Sequence, residues 1–299
     1  MSAPTPAPAS TPPPPPAPTP AAPPELLPAA EMHELVDQAV TRAGERTWTL
    51  NDLDWASLRP EALTETDRSA VRFITLVEDH IPGYLSHFLT AFPVAGAQLE
   101  LERFGFNREY FRFLVAWAHD EERHASALTR YQVEAGMATR EQLLADLAVE
   151  GRKVFALPYE HPVQSFAYTL VQEKATQLFY QRFRETVADP LLRDLLGRLA
   201  RDEARHFAFY SNLVGAYVAR DGAAVVPGLK DVIATFRMPL ADTMRGYWRW
   251  SLRVADATSY DHTEAYDALV RLVRGFVDAP GEASADDLGA FVRAVRGVR

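Results

Sequence analysis

A chain of 299 residues, 47% of them hydrophobic, is long enough to bury a sizeable core and reads as a globular protein. Its 31 basic and 40 acidic residues leave a net charge of −9, which excludes the basic footprint of a nucleic-acid binder. No apolar run approaches the roughly 18 residues of a membrane span, and the absence of cysteine is compatible with a cytoplasmic location.

The first 28 residues hold 13 of the 22 prolines and almost no bulky apolar side chains. Nothing there offsets the entropy of ordering the chain, so residues 1–28 are expected to form a disordered, partly polyproline tail. It has no Lys or Arg before Arg42 and no apolar core of signal-peptide length, so it resembles neither a secretory signal nor a transit peptide, and the protein is expected to be cytoplasmic. From about residue 30 the apolar residues recur at three- and four-residue intervals, which predicts helices and no strand. Helices are expected over 31–44, 65–92, 106–136, 140–152, 162–188, 190–219, 228–250, 260–276 and 284–297. Thr139 with Gln142 has capping-box spacing, and His161-Pro162 and Asp189-Pro190 read as N-cap and first helical residue. The four long segments, 65–92, 106–136, 162–188 and 190–219, are each about 40 Å long at 1.5 Å per residue and suggest a four-helix bundle wrapped by the shorter ones.

One heptapeptide occurs twice. Ala118–His124 reads AHDEERH and Ala200–His206 reads ARDEARH, which keeps Asp-Glu-x-Arg-His in one order on two long helices. Glu121 with His124, and Glu203 with His206, are spaced so that each pair projects from one helix face and can grip one metal ion. Glu78, in ITLVEDHIPGY, and Glu173, in YTLVQEKATQLFY, put one further acid in an apolar stretch of each remaining long helix. Four buried carboxylates repel one another, and two divalent cations balance them. One Glu from each of two helices plus Glu-x-x-His from each of the other two is the ligand pattern of a carboxylate-bridged dimetal bundle. Carboxylate and imidazole ligands suit iron or manganese, where zinc more often brings Cys. A lone Glu-x-x-His is more often a solvated face; two copies accompanied by Glu78 and Glu173 favour the metal. Asp120 and Asp202 are expected to cross over and hold the second ring nitrogens, Asp202 supporting His124 and Asp120 supporting His206. Glu122 is expected to face solvent, Arg123 and Arg205 to form salt bridges, and His33, His119, His161 and His262 to be ordinary. His80 and His87 do not share the face of Glu78 closely enough to displace it.

At these residues the chain resembles the soluble acyl-acyl carrier protein desaturases, a ferritin-like di-iron family, from about Trp48 to Tyr217. Glu78-x-x-x-Pro82-x-Tyr84, Trp117 with Arg123-His124, Tyr168-Thr169-x-x-Gln172-Glu173-x-Ala175-Thr176, and Asp202-Glu203-x-Arg205-His206 are similar to the family's four ligand-bearing helices. The resemblance implies an all-α, ferritin-like four-helix bundle with additional flanking helices, in which residues 29–299 form one di-iron domain with a C-terminal helical extension. It implies that Glu121 and Glu203 bridge two iron ions and that Glu78, Glu173, His124 and His206 are terminal ligands. Thr176 would present a hydroxyl to the oxygen-binding side, and Trp48 resembles a tryptophan implicated in electron delivery, although a packing role is the simpler reading of it. Pro82 removes the amide that would bond the carbonyl of Glu78, so a kink is expected beside that ligand.

The function implied is O₂-dependent introduction of a cis double bond into an acyl chain held on acyl carrier protein, with a ferredoxin-like electron donor and a homodimeric enzyme. Docking of an acidic carrier would need clustered arginines, for which Arg184, Arg193, Arg198 and Arg201 are candidates. The alternative on the same scaffold is a di-iron oxygenase, a hydroxylase or N-oxygenase of a biosynthetic pathway. Such N-oxygenases add a third His one turn before the last Glu, where this chain has Leu199. A non-catalytic iron-binding bundle and a ribonucleotide reductase small subunit are weaker rivals.

Overall fold

The computed structural model describes residues 26–45, 47–96, 98–159, 161–241, 263–274 and 282–296. Ten α-helices and four short 3-10 turns account for most of them, and there is no strand among the described residues. The expected all-α fold is borne out.

The helix boundaries follow the capping chemistry. Thr64 caps α2 (Glu65–Glu78) through the amide of Asp67, whose carboxylate bonds back to the Thr64 amide. The same box, Thr139 with Gln142, opens α5 (Arg140–Glu150). The His161 ring nitrogen accepts from the Val163 amide ahead of α6 (Pro162–Thr186), and Asp189 accepts from the Leu192 amide ahead of α7 (Pro190–Asp221). Gly136 ends α4 (Leu101–Glu134) with φ 63°, a conformation that favours glycine, and the Met137 amide returns to the Gln132 carbonyl.

Three expectations need correction. The helix expected over 65–92 is two, because α2 stops at Glu78 and α3 (Ile81–Ala91) starts three residues on. Pro82 has no amide for the Glu78 carbonyl, and the chain breaks outright at Asp79-His80 instead of kinking. The Tyr84 hydroxyl donates to the Val77 carbonyl beside the break, and the His80 ring lies where any side chain at residue 83 would sit, which requires the glycine found there. The helix expected over 228–250 is α8 (Val226–Thr235), which ends before the non-helical Phe236–Ala241; residues 242–250 lie outside the described residues. Of the expected tail, residues 1–25 also lie outside them, but Leu27 is fully buried and its amide bonds the Tyr217 hydroxyl, so the domain begins earlier than residue 29.

Two apolar clusters organise the bundle, and the order in which each helix visits them gives its direction. Along α4, Phe106–Trp117 belong to an aromatic cluster and Ala127–Tyr131 to a leucine-rich one; α6 runs the same way, from Val163–Val171 to Phe179–Phe183. Helix α7 runs oppositely, from Leu191–Ala200 to Phe209–Val218, as do α2 and α3, from Ala70–Ile74 to Tyr84–Phe88. Thus α4 and α6 are parallel to each other and antiparallel to α2/α3 and α7. A parallel pair needs a long crossover, which is supplied by α5 and the segment after it. Helix α1 (Ala29–Glu45) packs on α4 through Met32 and Val36, with an Arg112–Asp37 ion pair at 2.7 Å. Helices Thr263–Arg274 and Glu282–Arg296 add Tyr266, Leu269, Leu288 and Val292 to the aromatic cluster.

Candidate metal centre

On every helix of the bundle the switch from one apolar cluster to the other is interrupted by buried charge. Glu78 is the last residue of α2; Glu121 and His124 lie between Trp117 and Ala127; Glu173 lies between Val171 and Phe179; Glu203 and His206 lie between Ala200 and Phe209. All six are buried, His124 and Glu173 completely. Charge placed at the same depth on four helices must converge, and it does. One atom each from Glu78, Glu121, His124 and Glu203 forms a group within 4.8 Å, and one each from Glu121, Glu173, Glu203 and His206 forms a second. Glu121 and Glu203 belong to both groups. His124 Nδ1 lies 3.4 Å from Glu78 Oε2 and 3.6 Å from Glu203 Oε1, while His206 Nδ1 lies 3.0 Å from Glu121 Oε1 and 3.4 Å from Glu173 Oε2.

The residues fit a pair of iron ions. Glu78 Oε2, His124 Nδ1, Glu173 Oε2, Glu203 Oε1 and His206 Nδ1 are all buried without a hydrogen-bond partner. A buried polar atom left unpaired costs about 1–3 kcal/mol, so five of them around one centre call for cations. Two four-residue sets of carboxylate and imidazole, sharing two carboxylates, are donors of the kind iron and manganese take.

The atoms not facing the centre are held from behind. His124 Nε2 is 3.0 Å from Asp202 Oδ2 and His206 Nε2 is 3.4 Å from Asp120 Oδ2, the expected crossover. Arg123 and Arg205 clamp both aspartates: Arg123 pairs with Asp120 and, at 3.1 Å, with Asp202, and Arg205 reaches Asp202 at 2.6 Å and Asp120 at 3.1 Å. The Tyr180 hydroxyl donates to Glu78 Oε1, and Trp117 Nε1 donates to Glu173 Oε1 at 3.2 Å. Glu78 and Glu173 thus each have one oxygen tied and one without a hydrogen-bond partner.

Trp48 does pack, its ring stacked 6.4 Å from that of His124, but its Nε1 also donates to Asp202 at 2.8 Å, so the packing reading is incomplete. Tyr180 was not singled out in the sequence; its signal is a spacing of two helical turns from Glu173. Thr176 is half-buried one turn beyond Glu173. Glu122 is exposed and His119 is 73% exposed, His33 pairs with Glu109, and Leu199 is buried in the leucine-rich cluster. His80 and His87 stay apart from both groups, and His262 lies outside the described residues.

Burial and the neighbouring Glu78 push Glu121 up to about 8, and burial with Glu121 and Glu173 raises Glu203 well above the usual carboxylate range. Burial works against the charged form of His124, yet the facing carboxylates of Asp202 and Glu78 outweigh it and lift the ring to about 10; His206 is raised by the carboxylates of Asp120 and Glu121 in the same way. Burial also opposes the charged forms of the aspartates, but His206 brings Asp120 down to about 2, and His124 with Arg205 holds Asp202 lower still. The centre therefore attracts positive charge, as protons or as metal.

Residues 22–274 match the fatty acid desaturase family. Among individual relatives, a Mycobacterium tuberculosis protein named as a candidate acyl-[acyl-carrier-protein] desaturase, DesA2, is 26% identical over 57% of this chain and 58% of its own length. The chloroplastic stearoyl-[acyl-carrier-protein] 9-desaturase 6 of Arabidopsis thaliana is 26% identical over 69% of this chain and 49% of its own length. The chain thus spans about half the length of these relatives. In three dimensions it is similar to the X-ray structure of Mycobacterium tuberculosis DesA2, with TM-score 0.60 and 19% identity over 87% of this chain and 98% of that one. An R2-like ligand-binding oxidase solved with an Fe/Fe cofactor gives TM-score 0.51 and 18% identity over 89% and 91% of the two chains. These likenesses bear out a ferritin-like bundle, and no helix among the described residues is long and apolar enough to cross a membrane. With most of its length matched and all six converging residues inside the matched region, the chain belongs to the fatty acid desaturase family.

Proposed function

We propose that Glu78, Glu121, His124, Glu173, Glu203 and His206 hold two iron ions, and that the protein uses O₂ to introduce a cis double bond into an acyl chain presented on acyl carrier protein. The observation that carries this reading is the set of five buried, partnerless ligand atoms around carboxylates common to two ligand sets. When bound, the metal pair supplies the oxidising power for removing two hydrogens from an unactivated chain.

The protein's share is to place the ligands and keep water out. Asp202 and Asp120 fix the imidazoles with Nδ1 inward, while Arg123 and Arg205 keep both aspartates charged. Tyr180 and Trp117 turn a single oxygen of Glu78 and Glu173 toward the metals. The aromatic cluster, with Phe88, Trp117, Phe113 and Phe209 in contact, closes the centre on one side and the leucine-rich cluster on the other. Thr176, one turn beyond Glu173, offers a hydroxyl for proton handling beside the reacting chain. Electrons would come from a ferredoxin-like donor, and a homodimer in the cytoplasm completes the proposal.

The test is anaerobic iron loading, then exposure to O₂ with a reduced ferredoxin and an acyl-loaded carrier, followed by mass spectrometry of the carrier-bound acyl chains. Two irons per chain and a product two hydrogens lighter are expected. A hydroxylated or N-oxidised product would transfer the centre to the oxygenase reading, which Leu199, apolar and buried where a third His would stand, disfavours.

A further inference from the structure

Between α1 and α7 lies a cleft of about 710 Å³. Among the described residues four arginines line it, Arg42 from α1 and Arg198, Arg201 and Arg205 from α7, against the carboxylates of Glu45 and Asp202. Asp202 is committed elsewhere, since it accepts from His124 and Trp48 and pairs with Arg123 and Arg205. Arg198 is engaged by Asp194 and by the Asp52 carbonyl. Among the described residues, however, neither Arg42 nor Arg201 has a carboxylate partner, and the buried Nε of Arg205 has no acceptor. In a chain of net charge −9, Arg42 and Arg201 against the one remaining carboxylate of Glu45 leave an excess of positive charge in one concavity.

We propose that this cleft binds a small organic anion, of roughly nucleotide size, through a phosphate or carboxylate group. Its volume falls in the range of about 300–1,000 Å³ typical of small-molecule pockets, and a protein partner would more often meet a flatter face. The planar guanidinium fork matches both kinds of oxyanion, with bidentate, charge-assisted bonds. The rim cations Arg42 and Arg201 attract the anion, and Arg205, which also grips Asp120 and Asp202, forms the cleft's inner wall. The proposal does not depend on what the carboxylate and imidazole cluster holds, nor on the reaction it performs.

The test is calorimetric titration of the full-length protein with AMP, inorganic phosphate and succinate, at low and high salt. One bound anion per chain is expected, weakened by salt. The double substitution Arg42→Gln/Arg201→Gln is expected to weaken it at least ~30-fold, the scale of two partly exposed charge-assisted bonds, with thermal midpoint and metal content unchanged. Binding of AMP or phosphate assigns a phosphate ligand, and binding of succinate alone assigns a carboxylate. Failure of all three to bind, affinity unaltered by the double substitution, or arginine-dependent binding of an acidic protein only would each overturn the proposal.

Discussion

His124 and His206 occupy equivalent places in the repeated Asp-Glu-x-x-His frame, yet the surroundings of the two differ. The bond from His124 to Asp202 is 3.0 Å, and Asp202 also takes Trp48 at 2.8 Å and Arg205 at 2.6 Å. The bond from His206 to Asp120 is 3.4 Å, and among the described residues no indole donates to Asp120. Glu78 is tied by a phenol and Glu173 by an indole. The repeat supplies four of the six proposed ligands, and Trp48, Tyr180 and Trp117, all outside the repeat, supply the inequality. Two ions held here would therefore differ in how firmly their ligands are oriented.

The comparison breaks first at the shared carboxylates. Glu203→Ala removes a ligand from both sets and is expected to leave less than one iron per chain and to lower oxidation at least ~1,000-fold, whereas Glu78→Ala touches one set and should leave one ion; metal analysis after anaerobic loading checks both. Next, Asp202→Asn and Asp120→Asn should each weaken iron binding about 10–100-fold, with the larger loss at Asp202; competition with a fluorescent chelator ranks them.

Acidity sharpens the same contrast. In metal-stripped protein Glu121 titrates near about 8, above its ordinary 4.5, so the folded chain retains a proton between those values and stability falls as pH rises through that window. His124, raised from 6.5 to about 10, acts with the same sign at higher pH. Asp120, lowered from 3.8 to about 2, works oppositely, and its contribution is lost as pH falls through 2. Urea denaturation of stripped protein should thus show stability declining from about pH 5 to pH 9, while iron affinity rises over the same range because the ligands must shed protons. The smallest expected effect is that of Tyr180→Phe, which frees one oxygen of Glu78; it should cost about 1–3 kcal/mol by urea denaturation and leave both ions bound.

The helical period, the caps at Thr139, His161 and Asp189, and the six residues that converge were legible because each depends on spacing or apolar context along one helix. What escaped depends on contacts distant in sequence. Trp48 meets Asp202 across 154 residues and Tyr180 meets Glu78 across 102, and no local pattern reports such pairs. The break at Asp79-His80 was half legible. Pro82 announced a disturbed helix, but its severity depends on how Tyr84 and the His80 ring repack around the gap.

The crossing of the aspartates has a consequence for how the protein matures. Because α4 carries the support for the imidazole of α7, and α7 that for the imidazole of α4, neither helix alone can orient a complete half of the centre. A nascent chain that has made α4 but not yet docked α7, 82 residues further along from Asp120 to Asp202, would hold only loosely aimed ligands. Tight iron capture then waits until the bundle has closed around it, which keeps a redox-active metal away from an exposed, unfinished polypeptide.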